Sequence, residues 1–431
     1  LGLFSFCSAL ALAAEQAVKP ESVSLPEPLT LEDALRLADS KHPDLLVAEA
    51  AVQFAEAQSR LVESESGVKA RVFARLQAIR PNEIAFDQSQ NDSRLGLQVT
   101  KRLYDFGRSK GKQAASQAEV RSQEFLYLSA RQAQHLKITQ LFFDVLLADL
   151  QFFRDNEDMA VKFVRLDRLR DRNELGQVSD LEVLEQETRF QKARRQRLQS
   201  QNRQRITRTR LAVALNRPKQ VPETLVPPPL TQLDRQLGEV EDLQEQAVQG
   251  NYRMKALQTA LTAAQQRRNA AQAEGGPVLL GNAEATAYAR QSGSYDKWRV
   301  GVELDYPLFD SGTADSELAR AQARVFELEA ELASLEQDIR LAVLDLWLEM
   351  DTLRIDRQEA QVNKDFSDLF LDKSRALYEM EARPNLGDAM TRITDSELRA
   401  MRADLRTALA WKKLDALMGN LVSSKEQSVT P

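Results

Sequence analysis

Apolar and polar positions alternate in four separate stretches of the chain. In 69–80 the even positions Ala70, Val72, Ala74, Leu76 and Ala78 are apolar, while Lys69, Arg71, Arg75 and Gln77 are polar. Next, Leu95, Leu97, Val99 and Leu103 oppose Arg94, Gln98, Thr100 and Arg102. The pattern returns at Ala283, Ala285, Ala287 and Ala289, and again at Val300, Val302, Leu304, Tyr306 and Leu308. A period of two sends successive side chains to opposite faces, so each stretch predicts a strand with one apolar and one polar face. Elsewhere the period lengthens. Leu318, Ala321, Val325, Leu328, Leu332, Leu335, Ile339, Ala342 and Leu346 step by alternating three and four, a heptad seam. The steps on to Met350 and Leu353 insert an extra four, a stutter. No proline falls between Pro81 and Pro218 or between Pro307 and Pro384. The spacing therefore predicts a helix from Gly312 to near Met380, on the order of 100 Å long. Turn signals at 175–179 and 381–385 send a second helix back each time. Shorter helices are expected at 31–66, capped by Thr30, and at 240–274.

The chain is also duplicated. Residues 94–107 reappear as 299–312, aligning Asp105 with Asp310 and Gly107 with Gly312, and the match persists at Leu136/Leu341 and Phe142/Trp347. This period is too long for a solenoid and reads as two similar halves. The expected organisation is a first repeat over 15–217, with a β-hairpin at about 68–107 and a helical hairpin at about 108–215. A Pro-rich linker, 218–239, joins it to a second repeat over 240–420, with a β-hairpin at about 277–312 and a helical hairpin at about 313–419. Residues 421–431 are polar and expected to be a disordered tail. Residues 1–14 are apolar and end in small residues, so they are expected to be the remnant of a signal peptide cleaved after Ala13 or Ala14.

Composition narrows the function. The 431 residues carry a net charge of −6, one cysteine and two histidines, His42 and His135. A disulfide framework, a Cys/His zinc site and a Cys–His nucleophile pair are excluded. The acidic balance argues against a nucleic-acid partner. No stretch approaches the roughly 20 apolar residues of a spanning helix, so a membrane span is expected to be β. Four strands of about ten residues cannot close a barrel, since about eight is the smallest size seen. Pooling strands from several copies would close one, with apolar faces toward lipid and polar faces toward a wet lumen.

Taken together, 29–35 with His42-Pro-Asp-Leu45, Tyr104-Asp-Phe-Gly107, 307–312, 174–184 and 413–419 resemble the TolC-like outer-membrane factor family. The resemblance covers nearly the whole chain, in order and in both halves. It implies a mainly α fold with a β-barrel portion: a homotrimer whose 12-stranded transmembrane β-barrel continues into a periplasmic α-helical barrel. It implies an outer-membrane location in a Gram-negative bacterium and a passive export duct in a tripartite efflux or type I secretion system. The expected partners are a periplasmic adaptor (membrane fusion protein) and an inner-membrane pump of the RND, ABC or MFS kind. In such proteins the hairpin turns contact the adaptor, which points to Gly176, Val178, Glu381 and Arg383. Acids near the tips form the gate, which points to Glu182, Glu185 and Asp388. The second tip departs from the pattern: Glu381 replaces the glycine, Pro384 appears, and Gly387 holds the acid position. Glu182, Glu185 and Asp388 have an alternative reading as solvated acids at helix starts.

Two motifs invite other functions. Residues 107–112 sit between strand and helix as a phosphate loop would, but one residue short of the required spacing and with Gln113 where Ser or Thr should stand. Residues 189–210 carry nine Arg or Lys and no acid. That run is expected to be a solvated barrel face, or to pair with acids such as Asp155, Glu157 and Asp158. No constellation suits catalysis or a cofactor, so neither an enzyme nor a bound cofactor is expected. The alternative function is a periplasmic coiled-coil adaptor or scaffold without a pore.

Overall fold

A computed structural model describes residues 25–39, 42–230, 233–290, 296–380 and 386–422. The elements run α1 (Leu31–Ala38), α2 (Pro43–Glu65), β1 (Lys69–Arg75), β2 (Arg94–Tyr104), α3 (Arg108–Glu174), α4 (Asp180–Ala214), α5 (Val240–Gly250), α6 (Tyr252–Gln272), β3 (Val278–Tyr288), β4 (Trp298–Asp305), α7 (Thr313–Glu379) and α8 (Leu386–Leu417). The long helices α3 and α7 have 67 residues each, so the duplication reaches the length of the rods.

The helices expected at 31–66 and 240–274 are each broken in two. Pro43 cannot donate to the turn before it, so α1 ends and α2 starts afresh with the His42 Nδ1 accepting from the Asp44 N–H at 3.2 Å. At the second break Asn251 Oδ1 accepts from the Arg253 and Met254 N–H groups and caps α6. The first strand is shorter than its alternation suggests. Its ladder stops at Arg75, and the chain continues only through an isolated bridge between Ala78 and Asn91.

All four strands form one antiparallel sheet in the order β1-β2-β3-β4, so β1 and β4 are free edges. Below it α3 packs on α2, α4, α6 and α8, while α7 packs on α5, α6 and α8. Two apolar clusters at mid-length hold the rods together. One gathers Leu29, Ile138, Phe142, Val145, Leu211 and Leu405; the other gathers Leu243, Met254, Ile339, Val343, Trp411 and Leu414. Ile138 and Val343 occupy equivalent places in the two repeats, and neither is exposed. The Pro-rich segment is bound to the first cluster: Leu29 N–H donates to Thr224 O at 2.9 Å, and Val226 N–H to Leu29 O at 3.0 Å. Gly250 and Gly419 cross closely, and a Cβ on Gly250 would lie 2.0 Å from Met418 O. The apolar residues expected to form a leader at 1–14 lie outside the described residues, as does the tail beyond Val422. Val422 itself is 3 % exposed and accepts a hydrogen bond from the Tyr252 hydroxyl at 3.0 Å.

Candidate functional site

Register decides what the sheet can do. Val72, Leu97 and Ala285 share a row with Trp298, and Ala70, Val99 and Ala283 share one with Val300. These residues, with Leu95, Val302 and Leu304, make one apolar face. It is bare: Val72 is 72 % exposed and Val300 74 %. The opposite face carries the row Arg71, Gln98, Glu284 and Arg299, where Arg71 Nε donates to Gln98 Oε1 at 2.7 Å and Arg299 lies 3.8 Å from Glu284. Phe73 lies over Gly96, where a Cβ would come within 2.5 Å of the ring. A sheet with a bare apolar face and two unpaired edges is incomplete as a single chain in water.

Each β-hairpin passes into its long helix by the same device. Phe106 and Gly107 in the first half, and Ser311 and Gly312 in the second, adopt positive φ. The preceding aspartate turns its carboxylate onto the new helix: Asp105 accepts from the Ser109 N–H at 2.9 Å, and Asp310 from the Gly312 and Ala314 N–H groups at 2.9 and 2.8 Å. Those backbone donors hold the Asp310 carboxyl below the usual range. Burial pushes Asp105 up, but the Ser109 hydrogen bonds and the Arg102 charge outweigh it, and the net shift is also downward. In the stretch resembling a phosphate loop, two of the three cations are engaged by protein and Lys110 is exposed. Arg108 pairs with Glu274, and Lys112 lies 3.5 Å from it.

At the first tip α3 ends in a Schellman turn. Gly176 has φ 69°, its N–H donates to Asn173 O at 2.8 Å, and Gln177 N–H donates to Arg172 O at 2.9 Å. The Val178 carbonyl accepts from Asn173 Nδ2 at 3.0 Å. Ser179 and Glu182 then form a capping box, with Glu182 N–H to Ser179 Oγ at 3.3 Å and Ser179 N–H to Glu182 Oε2 at 3.1 Å. Glu185 pairs with Arg189 one turn on, at 2.5 Å, and both are exposed. Asp388 stands apart, on α8, paired at 2.5 Å with Arg165 of α3. Beside it Gly387 faces Val161, whose Cγ1 would be 2.9 Å from an added Cβ, so a larger residue there must displace Val161. Glu381 and Arg383 lie outside the described residues.

The basic run on α4 does not pair with the acids expected. Arg208 takes Asp149 at 2.8 Å, and Arg197 donates to Asn156 at 3.1 Å and covers the Phe152 ring. Asp155 bonds to Gln151, Asp158 to Lys162 and Glu157 to Thr394, because those carboxylates project from other sides of α3. Lys192, Arg194, Arg195 and Arg205 remain exposed.

A further feature escaped the periodicity reading. Every seventh residue of α7 from Leu346 (Leu353, Ala360, Ser367, Ser374) is buried. Two residues on, about 200° round the helix, Leu348, Ile355, Val362 and Leu369 continue from Leu341 as a second stripe, 52–69 % exposed. Eight carboxylates against three cations lie between 345 and 372. On α4 the buried sevenfold set is Gln186, Ala193, Ser200, Thr207 and Ala214. The other side of that helix shows Leu184, Leu198 and the free cations. Higher up, α2 exposes Val47, Phe54 and Leu61, also seven apart. The signal was present in the sequence as sevenfold spacing; only burial separates the inward seam from the outward one. A second cluster was also missed: Arg131 and His135, one turn apart on α3, both bind Asp39, at 2.7 and 2.8 Å. Among the described residues no helix is long and apolar enough to cross a membrane, and no group of three or more His, Cys, Asp or Glu side chains is placed to hold a metal.

Residues 243–420 match the family described as outer membrane efflux protein. No curated protein sequence matches the chain. Among solved structures, a membrane protein from Pseudomonas aeruginosa is similar over 93 % of this chain and 92 % of its own, at 19 % identity and TM-score 0.76. CusC, described with its folding and transmembrane channel formation, is similar over 90 % and 92 %, at 17 % identity and TM-score 0.73. The Campylobacter jejuni CmeC outer membrane channel is similar over 93 % and 88 %, at 14 % identity and TM-score 0.74. Residues 243–420 thus match the outer membrane efflux protein family by sequence, and the chain as a whole shares the fold of these outer-membrane channel structures.

Proposed function

We propose that the chain is one subunit of a trimeric outer-membrane export channel, a passive duct through the outer membrane and periplasm that works with an adaptor and an inner-membrane pump. The observation that carries this is the open sheet, which exposes one continuous apolar face and two free edges. Three copies give twelve strands, within the range of closed outer-membrane barrels. Closure sets β4 of one copy against β1 of the next. The same rotation brings α7, with its bare apolar stripe and acidic flanks, against α2 and the basic α4 of its neighbour. The contact is heterologous and closes as a ring. The family is one of efflux channels, and the chain acts by conduction rather than catalysis. We assign the two repeats to 15–217 and 240–420, and adaptor contact to the tips around Gly176, Val178, Glu381 and Arg383. Glu182, Glu185 and Asp388 are the gate candidates, Glu182 and Glu185 standing nearest the first tip.

Topology tests the proposal. In a Cys7→Ser background, Glu83→Cys in the loop above the sheet should react with a membrane-impermeant maleimide on intact cells. Gln177→Cys at the helical tip should react only after the outer membrane is permeabilised. Equal labelling of both in a soluble periplasmic extract would favour the adaptor or scaffold alternative.

A further inference from the structure

The polar face of the sheet is not electrically balanced. Its cations are Lys69, Arg71, Arg75, Arg94, Arg102 and Arg299, and its acids are Glu284, Glu303 and Asp305. They are also segregated along the strands. Toward the helices, Lys69 and Arg102 are matched by Glu303 and Asp305. Toward the loops, Arg71, Arg75, Arg94 and Arg299 face Glu284 alone, and Glu284 is engaged by Arg299 at 3.8 Å. Among the described residues Arg71 has only the neutral Gln98 as partner. Arg75 and Arg94 stand directly opposite each other on paired strands, and the next residue in their row is Tyr288. Among the described residues no carboxylate lies at ion-pair distance from Arg71, Arg75 or Arg94. Like charges directly opposite across a ladder destabilise the sheet. On a face whose other function were only to pack, an acid or a neutral residue would serve better. The lipid-side face carries one charge, Lys101, at its helix end.

We infer that the outer end of the lumen is an anion-preferring passage, which assigns negatively charged solutes as the class of cargo that moves through it most readily. The inference rests on the three-chain barrel proposed above. Closure repeats the set of unpaired arginines three times around one water-filled ring, walled by protein and lipid of low dielectric. Such a ring raises the local concentration of anions and lowers that of cations, as Arg and Lys rings do in anion pores. The acids of the loop above, Glu83, Asp87 and Asp92, lie outside the sheet, and Asp87 is tied to Arg290 through its carbonyl at 2.8 Å. They oppose the preference only where they overhang the mouth.

The test is the reversal potential of the purified, detergent-extracted oligomer in a planar bilayer under a KCl gradient. The wild type should pass chloride in preference to potassium. Arg71→Gln with Arg75→Gln and Arg94→Gln should lower the chloride-to-potassium permeability ratio by at least about twofold. Glu284→Gln, which needs no new packing, should raise it, and keeps the test alive if the triple variant fails to assemble. A potassium-preferring wild type overturns the inference, as does a ratio that none of these changes moves, while either leaves the channel reading standing. Absence of any conductance from an intact oligomer, in the wild type and in Glu182→Gln with Glu185→Gln alike, would sink the channel reading, and this inference with it.

Discussion

Reversing charge on the proposed α4–α7 seam is the sharpest perturbation of ring assembly. Arg194 and Arg195 lie 14 and 15 residues above the start of α4, and Asp365 and Asp368 lie 14 and 11 residues above the end of α7. At about 1.5 Å per residue all four fall near 20 Å from the tip, on antiparallel rods that a ring brings side by side. An exposed ion pair contributes about 0.2–1 kcal/mol. Changing Arg194→Glu and Arg195→Glu replaces two attractions by two repulsions, so each seam weakens by about 2 kcal/mol. Over three seams the loss is about 6 kcal/mol at low ionic strength, and less as salt screens it. Since 1.4 kcal/mol is tenfold, the ring's dissociation constant should rise by about four orders of magnitude. The assay is the temperature at which the trimer band gives way to monomer in detergent gels, at low and high salt. The double variant should fall apart at a clearly lower temperature, and adding Asp365→Arg with Asp368→Arg to the same chain should restore it. An unchanged transition in the double variant, or no recovery in the quadruple one, refutes the seam as drawn.

Three other outcomes are expected. Glu182→Gln with Glu185→Gln should raise the conductance of the resting channel if these acids constrict it; the capping box keeps a donor and an acceptor with Gln, so α4 should still form, and unchanged conductance removes both from the gate. Gly250→Ala should lower the heat-unfolding midpoint, because a Cβ 2.0 Å from Met418 O forces the crossing with Gly419 apart; overpacking of this kind costs about 1–3 kcal/mol, and a wild-type midpoint would contradict it. For Asp39, burial pushes the carboxyl up, but the Arg131 and His135 hydrogen bonds win and hold it well below the usual range. The stability it contributes is therefore complete above the unfolded pKa of about 3.9 and is lost as pH falls through the lower folded value. The deficit of Asp39→Asn against wild type should not shrink from pH 7 to 5 and should shrink only below that range; a deficit that shrinks between pH 7 and 5 would contradict the assignment.

Much of the fold was legible because the two periods are strong signals. Alternation at 95–99 and 300–304 gave strand and facing together, and the absence of proline from 82 to 217 gave the length of α3 and its return. The breaks at Pro43 and Asn251 were harder. A capped break costs little, and only the first carries a proline. The early end of β1 depends on how the loop after Arg75 closes, which alternation at Leu76 and Ala78 does not report. Ion pairs were least legible: Arg208 meets Asp149 rather than Asp155 or Asp158 because pairing depends on which side of α3 each carboxylate leaves, a matter of helix phase and supercoil. The outward stripe on α7 was hidden for a different reason. An exposed heptad and a buried one look alike until one of them has a partner in the same chain.

The central claim is that this chain completes itself only as a ring of three in the outer membrane. Fractionation of cells expressing the full chain, followed by crosslinking of the outer-membrane fraction, tests it most directly. The account predicts a heat-sensitive trimer in that fraction, stable to mild detergent. A soluble periplasmic monomer or dimer would contradict it, because the apolar face of the sheet would then have to be covered by something other than lipid and neighbouring copies.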